Sequence, residues 1–143
     1  IWRDPDTICA WTQPVGKMTV IHHNTPLPGE QASGMYVIGY QFPGGLQGPE
    51  HPFPGQPYSG TSRRAFLSDS DEGFQVLQKL MRAWDARLLF TVGSSVTTGQ
   101  SNTVVWNGIH HKTSISGGSV NFGYPDPAYL NRVGLELAAA GIY

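Results

Sequence analysis

Cysteine is almost missing from this chain of 143 residues, where Cys9 stands alone. One thiol excludes an internal disulfide and any zinc site built from several cysteines, and it fits a reducing intracellular setting, cytoplasmic or nuclear. Charge is scarce as well, with 9 Lys and Arg against 10 Asp and Glu and a net charge of -1. Such a balance provides no broad basic field for duplex DNA or anionic lipid, so any nucleic-acid contact has to be local. No apolar run nears the ~20 residues of a membrane-crossing helix, and no charged-then-apolar leader opens the sequence. The expectation is a soluble protein with no membrane partner and, since it begins at Ile1, a piece of something longer. Solenoid-period repeats, low-complexity tracts and the GxSxG, Walker and GxGxxG motifs are absent too. Nucleophilic hydrolase chemistry therefore gets little support, and Cys9, with only Arg3 as a basic neighbour, has no recognisable nucleophile context.

What the chain does have is turn chemistry, with Gly 18 and Pro 11 together a fifth of the residues. Its length is that of one domain, able to bury a core unaided. Residues 17–22 (KMTVIH) and 34–42 (GMYVIGYQF) are β-branched and aromatic runs that read as a hairpin-like pair of strands. Residues 43–57 hold too many Pro and Gly for helix or central strand, which predicts an ordered loop pinned by His51, Phe53 and Tyr58. Caps and early acids at 69–71, then Phe74, Leu77, Leu80, Met81 and Trp84, predict an amphipathic helix ending near Arg87. Residues 88–92 and 103–106 read as strands around a turn-rich link. Asp126 as N-cap, Pro127 at the first helical position, then Leu130, Val133, Leu137 and a Gly141 stop predict a last helix.

The chemistry concentrates where carboxylates are missing. From residue 86 to 125 there is no Asp or Glu, only Arg87 and Lys112, and Ser, Thr, Gly and Asn fill half the positions. Turn glycines and hydroxyl residues expose backbone N–H groups that cradle phosphate, although a plain polar loop face explains the same composition. The histidines come as His22-His23, His51 and His110-His111. Adjacent histidines on a strand face opposite ways, so a shared metal is disfavoured. His110 reads either as a ligand-bonding or proton-moving ring or as one satisfied by backbone, and the sequence by itself favours the second. Glu136, at the edge of the last helix's apolar stripe, is either half-buried with a raised pKa or paired with Arg132 four residues back, and spacing favours the pair.

Several strings now converge. Gly16-Lys17-Met18, Leu27-Pro28-Gly29, LQGPEHPFPGQPY at 46–58, LLFTVG at 88–93, TTG at 97–99, TVVWNGIHHKT at 103–113 and GYPDPAYL at 123–130 run in one order through nearly the whole chain. In these the chain resembles the Deltex carboxy-terminal domain, the module that follows the RING in Deltex-family ubiquitin ligases. The resemblance implies a loop-rich α+β fold, a curved antiparallel β-sheet packed with two main helices. One domain would span 1–143, with about 16–141 as the matching core. It also implies a polar groove for ADP-ribose or NAD as ligand, with no required cofactor and no metal. The groove would draw on Gly93, Thr97, Thr98, Gly99, Trp106, His110, His111, Lys112, Phe122 and Tyr124.

The implied partners are ADP-ribosylated proteins, together with a RING domain and its ubiquitin-loaded conjugating enzyme. Some members of the family attach ubiquitin to a ribose hydroxyl, and there Glu136 corresponds to the working glutamate of the last helix and His110 to a ligand-contacting histidine. Two departures stand out. The family's usual HGYPDP reads FGYPDP at 122–127, as in the Deltex-3 branch, which is linked to ubiquitin transfer onto single-stranded nucleic acid. Phe122 stacks but cannot move a proton, which sets binding apart from transfer. Cys9 alone cannot build a RING, so this stretch by itself is not expected to recruit a conjugating enzyme. Val96 stands where related chains often have a small polar residue. Three readings follow: a binding module for ADP-ribose or NAD, a supplier of catalytic residues to a RING partner, or an interaction scaffold that ignores nucleotides and docks through the loop of residues 44–57.

Overall fold

The computed structural model describes residues 12–95 and 99–143. Cys9, Arg3, Val96, Thr97 and Thr98 lie outside the described residues. The order along the chain is β1 (Lys17–His23), β2 (Met35–Phe42), β3 (Gly45–Leu46), β4 (Pro57–Tyr58), β5 (Thr61–Ser68), α1 (Asp71–Asp85), β6 (Phe90–Gly93), β7 (Thr103–Trp106), a short 3-10 turn (Ser119–Asn121) and α2 (Tyr129–Ala139). The chain is a small α+β fold of two helices and open antiparallel sheets. β1, β2 and β5 form one sheet in that order, while β3–β4 and β6–β7 form separate pairs.

The predicted first pair of strands is present, and β2 is the central strand. Val20 stands opposite Ile38, and Ile38 opposite Ala65. Ile38, Tyr40, Ala65 and Leu67 are buried, whereas β1 is an exposed edge strand. The third strand, β5, has no counterpart in the sequence reading. Its first half, TSRR, is polar and half-exposed, and only its second half, AFLS, enters the core. A run that is polar at one end and apolar at the other shows neither strict alternation nor a continuous apolar signal.

Helix α1 forms as its caps dictate. The Ser70 hydroxyl accepts the Gly73 N–H at 3.0 Å, and Asp71 and Glu72 sit in the positive first turn. The buried face is Gly73, Val76, Leu77, Leu80 and Ala83. Phe74 and Met81, expected on the core stripe, are about half exposed because each lies one residue, or 100°, off that face. The helix ends at Asp85. Leu88 N–H returns to the Ala83 carbonyl at 3.0 Å and Arg87 N–H to Trp84 at 2.9 Å, a 6→1 and 5→2 pair that takes up orphan carbonyls. That closure delays the next strand from the expected Leu88 to Phe90. Gln13 bridges the junction, its side-chain oxygen accepting Leu89 and Phe90 N–H.

The proline-rich segment is an ordered loop, but Phe53 does not pin it; that ring is 59% exposed. Buried polar groups do the pinning. Gln47 donates to Asn102 at 3.1 Å and accepts from Phe53 N–H at 3.0 Å. His51 Nδ1 accepts Gly48 N–H at 2.9 Å, which leaves Nε2 to donate to the Thr12 carbonyl at 2.8 Å.

Helix α2 also departs at its start. Ala128 occupies the N-cap position with no side-chain cap bond, and the Asp126 carboxylate is drawn to Lys112 and Arg132 instead. Its end is as predicted: Gly141 has φ +89°, and Ile142 N–H bonds the Leu137 carbonyl at 2.9 Å. Tyr129, Val133 and Leu137 face the core. Among the described residues, no helix is long and apolar enough to cross a membrane.

Candidate functional site

Residues 107–114 leave β7 without regular structure, so the alternation of a strand does not govern them. Ile109 is buried, His110 exposed, and His111 and Lys112 buried. Each of the last three meets a different fate. His111 Nδ1 donates to the Ile109 carbonyl at 2.9 Å, so Nε2 accepts from Tyr40 OH at 2.8 Å. The ring stacks on Trp106 at 4.4 Å between centroids, and burial pushes its pKa down to about 4. Lys112, 3% exposed, is not solvated: its Nζ donates to Asp126 Oδ2 at 2.6 Å and lies 5.3 Å from the Tyr129 ring centre. Hydrogen bonds from Arg132 and Lys112 hold the Asp126 carboxyl at about 2.

His110 is the residue that stays outside. Its ring Nδ1 meets Glu136 Oε2 at 2.5 Å, and its backbone N–H donates to Oε1 of the same carboxylate at 2.8 Å. The ion pair expected between Glu136 and Arg132 is therefore not formed. Arg132 donates to Asp126 at 2.8 Å, and Glu136 turns to a residue 26 positions away. Helical spacing names which side chains of one helix are neighbours, but packing brought each of them a partner with a better hydrogen-bonding fit.

Beside His110 lies a cleft of about 430 Å³, lined by Arg63, Trp106, Ile109, His110, Thr113 and Phe122, with Gly108 and His111 completing it. Phe122 follows the 3-10 turn with φ +57° and is about half exposed. The loop that carries it closes through Ser114 N–H to the Phe122 carbonyl at 3.0 Å. Gly123 then has no room for a side chain, since a Cβ there would sit 2.1 Å from the Ser116 carbonyl oxygen. Tyr124 is core: fully buried, its hydroxyl donates to the Phe66 carbonyl at 2.6 Å and burial pushes its pKa far up. Pro125, after a cis bond from Tyr124, packs on Gly29, where a Cβ would lie 2.4 Å from the proline ring. Thus the LPG and YPDP strings meet.

A second cleft of about 250 Å³ shares Arg63 and Trp106 with the first and continues to Ser94 and Ser95. Gly93 ends β6 opposite Thr103, and Gly99, with φ +69°, lies in the exposed link beyond. Of the residues the resemblance implicates, Trp106, His110, His111 and Phe122 gather at the main cleft, whereas Lys112 and Tyr124 are interior. Arg63 was missed. It stands on β5 at the junction of three clefts, the third being a groove of about 550 Å³ on the sheet face. The available signal was an Arg63-Arg64 pair entering an apolar run, the mark of a strand leaving the surface. Among the described residues, no carboxylate lines either of the two clefts that meet at Trp106. Among the described residues, no three of His, Cys, Asp and Glu come together to hold a metal ion.

The Deltex C-terminal domain family matches residues 10–142. The probable E3 ubiquitin-protein ligase DTX3 of Homo sapiens is 53% identical over 128 residues, covering 89% of this chain and 37% of that protein. E3 ubiquitin-protein ligase DTX1 of Xenopus laevis is 49% identical over 135 residues, covering 92% of this chain and 21% of its own. E3 ubiquitin-protein ligase DTX4 of Mus musculus is 49% identical over 135 residues, with 92% and 22% covered. The chain thus spans little more than a third of the length of DTX3 and less of the others. With a family match over residues 10–142 and relatives about half identical over nearly the whole chain, the chain belongs to the Deltex C-terminal domain family.

Proposed function

We propose that the chain is the ADP-ribose- or NAD-binding module of a Deltex-type ubiquitin-ligase system. It would bring ADP-ribosylated proteins to a RING domain and a ubiquitin-loaded conjugating enzyme. The observation that carries this reading is the junction at Arg63: two clefts, lined by no carboxylate among the described residues, share one guanidinium and one indole. Phosphate is favoured where a planar cation donates in two directions and no anion opposes it. Phe122 and Trp106 supply apolar surface for a base or ribose, and the main cleft has the volume of small-ligand sites. The serines of the second cleft add hydroxyl donors. The family membership and the names of the relatives as ubiquitin-protein ligases support the setting.

Isothermal titration with ADP-ribose, with NAD and a short single-stranded oligonucleotide in parallel, tests the reading. Saturable ADP-ribose binding is expected, weakened about tenfold or more by Arg63→Ala, the worth of a charge-assisted hydrogen bond. A chain that ignores ADP-ribose and NAD overturns the proposal. Binding of the oligonucleotide alone would transfer the site to nucleic acid, and silence from all three would leave the scaffold.

A further inference from the structure

Gly39 breaks the pattern of the central strand. It sits in the middle of β2, where a glycine weakens the strand and marks the close approach of a ligand or another backbone. Across the sheet it stands between Thr19 of β1 and Arg64 of β5, and two residues along, on the same face, lie Lys17, Gln41 and Ser62. A Cβ at Gly39 would meet only Thr19 Oγ1, at 2.6 Å. The missing side chain thus forms the floor of the 550 Å³ groove, with Thr19, Gln41, Ser62, Arg63 and Arg64 around it.

Among the described residues no carboxylate lines this groove, and the exposed Lys17 and Arg64 have no ion-pair partner. Thr19, Gln41 and Ser62 each both donate and accept, as the amides of a peptide require. The rings that border the groove, Tyr40 and Phe66, are buried, so a nucleic-acid base finds no stacking platform. Three strands at ~4.8 Å spacing span about 10 Å, room for about three residues of extended peptide. Arg63 and Thr113 line both this groove and the main cleft, so a chain attached to a ligand in the cleft enters the groove over one shared wall.

We propose that the sheet-face groove holds the polypeptide that carries the ADP-ribose, and that it selects an acidic segment beside the modified residue. The proposal rests on the nucleotide reading above and names the partner of the third cleft. A planar guanidinium such as Arg64 fits a carboxylate with two parallel hydrogen bonds. The same cations repel a basic segment, so selection comes from rejection as well as attraction. With a net charge of -1 the whole molecule exerts no pull on acids, and the preference is local to this face. Because the cations are exposed, the preference shrinks as salt rises.

Calorimetric titration at low salt compares free ADP-ribose with two short, end-capped peptides ADP-ribosylated at a central serine and flanked by glutamates or by lysines. The glutamate peptide is expected to bind about fivefold tighter than free ADP-ribose, the worth of one well-placed exposed carboxylate–guanidinium pair, and the lysine peptide more weakly than free ADP-ribose. Arg64→Ala is expected to remove the glutamate peptide's advantage and to leave free ADP-ribose unaffected, since Arg64 lines neither nucleotide cleft. Gly39→Val fills the floor against a side-chain end that can turn aside, and the same result is expected. Equal affinities of the two peptides, or an advantage that survives both variants, overturn the inference and leave the nucleotide reading standing. Free ADP-ribose ignored by the unaltered chain overturns that reading first and the inference with it. An oligonucleotide whose binding needs Arg64 while that of the glutamate peptide does not gives the groove to nucleic acid and overturns the inference too.

Discussion

A lysine ammonium inside a protein requires a countercharge, and Lys112 has one in Asp126, whose carboxylate also receives Arg132. The arrangement explains two motif residues at once, the Lys of IHHKT and the Asp of GYPDP. They are structural partners across 14 positions, holding the site loop to the start of α2. Asp126→Asn leaves Lys112 buried without its anion and is expected to cost about 3–5 kcal/mol by urea unfolding. Pairing Lys112→Met with Asp126→Leu should recover most of the loss, because two apolar groups need no partner. The Asp126 carboxyl, held at about 2, contributes in full above the unfolded value of about 3.9 and ceases only as pH falls through about 2. In the sequence, Lys112 stands among the residues that the family resemblance places in the ligand groove. Residue type alone does not reveal burial; the signal lay in an acid downstream whose capping role was taken over by the ion pair.

Among elements, helices were more legible than strands. Both helix ends stop as their sequence predicts, and Ser70 caps α1, since caps are local chemistry between residues three or four apart. β7 lies at 103–106 as read, because TVVW is β-branched and bounded by turns. β5 was invisible, being stabilised by pairing with β2 along its whole length rather than by its own pattern. The loop between the 3-10 turn and α2 depends on a glycine for steric reasons. Gly123→Ala would force a Cβ into the Ser116 carbonyl, and backbone there cannot swing aside as a side-chain end would. The expected loss is about 1–3 kcal/mol in thermal or denaturant unfolding. Phe122 shifts with the loop, so ADP-ribose affinity is expected to fall in the same variant.

At the scale of the whole molecule, stability depends on pH through a core histidine. Burial holds His111 at about 4, against about 6.5 in an unfolded chain, so folding favours the neutral ring. Its contribution is complete above pH 6.5, shrinks as pH falls toward 4 and is lost below that, a change on the order of 3 kcal/mol. Urea unfolding across this range should show the decline, and His111→Gln should flatten it. The sequence by itself determined what is local: the family strings, the helix caps, the first strand pair and the carboxylate-free stretch of 86–125. Hydrogen bonds and periodicities between near neighbours leave their mark in residue order. Only the tertiary structure decided the partners: Arg63 of β5 beside Trp106 of β7, Tyr40 under His111, and Glu136 on His110 rather than on Arg132. Those pairings are chosen by which faces pack together, and a side chain meets the best-fitting group that packing delivers, however far away it lies in the chain.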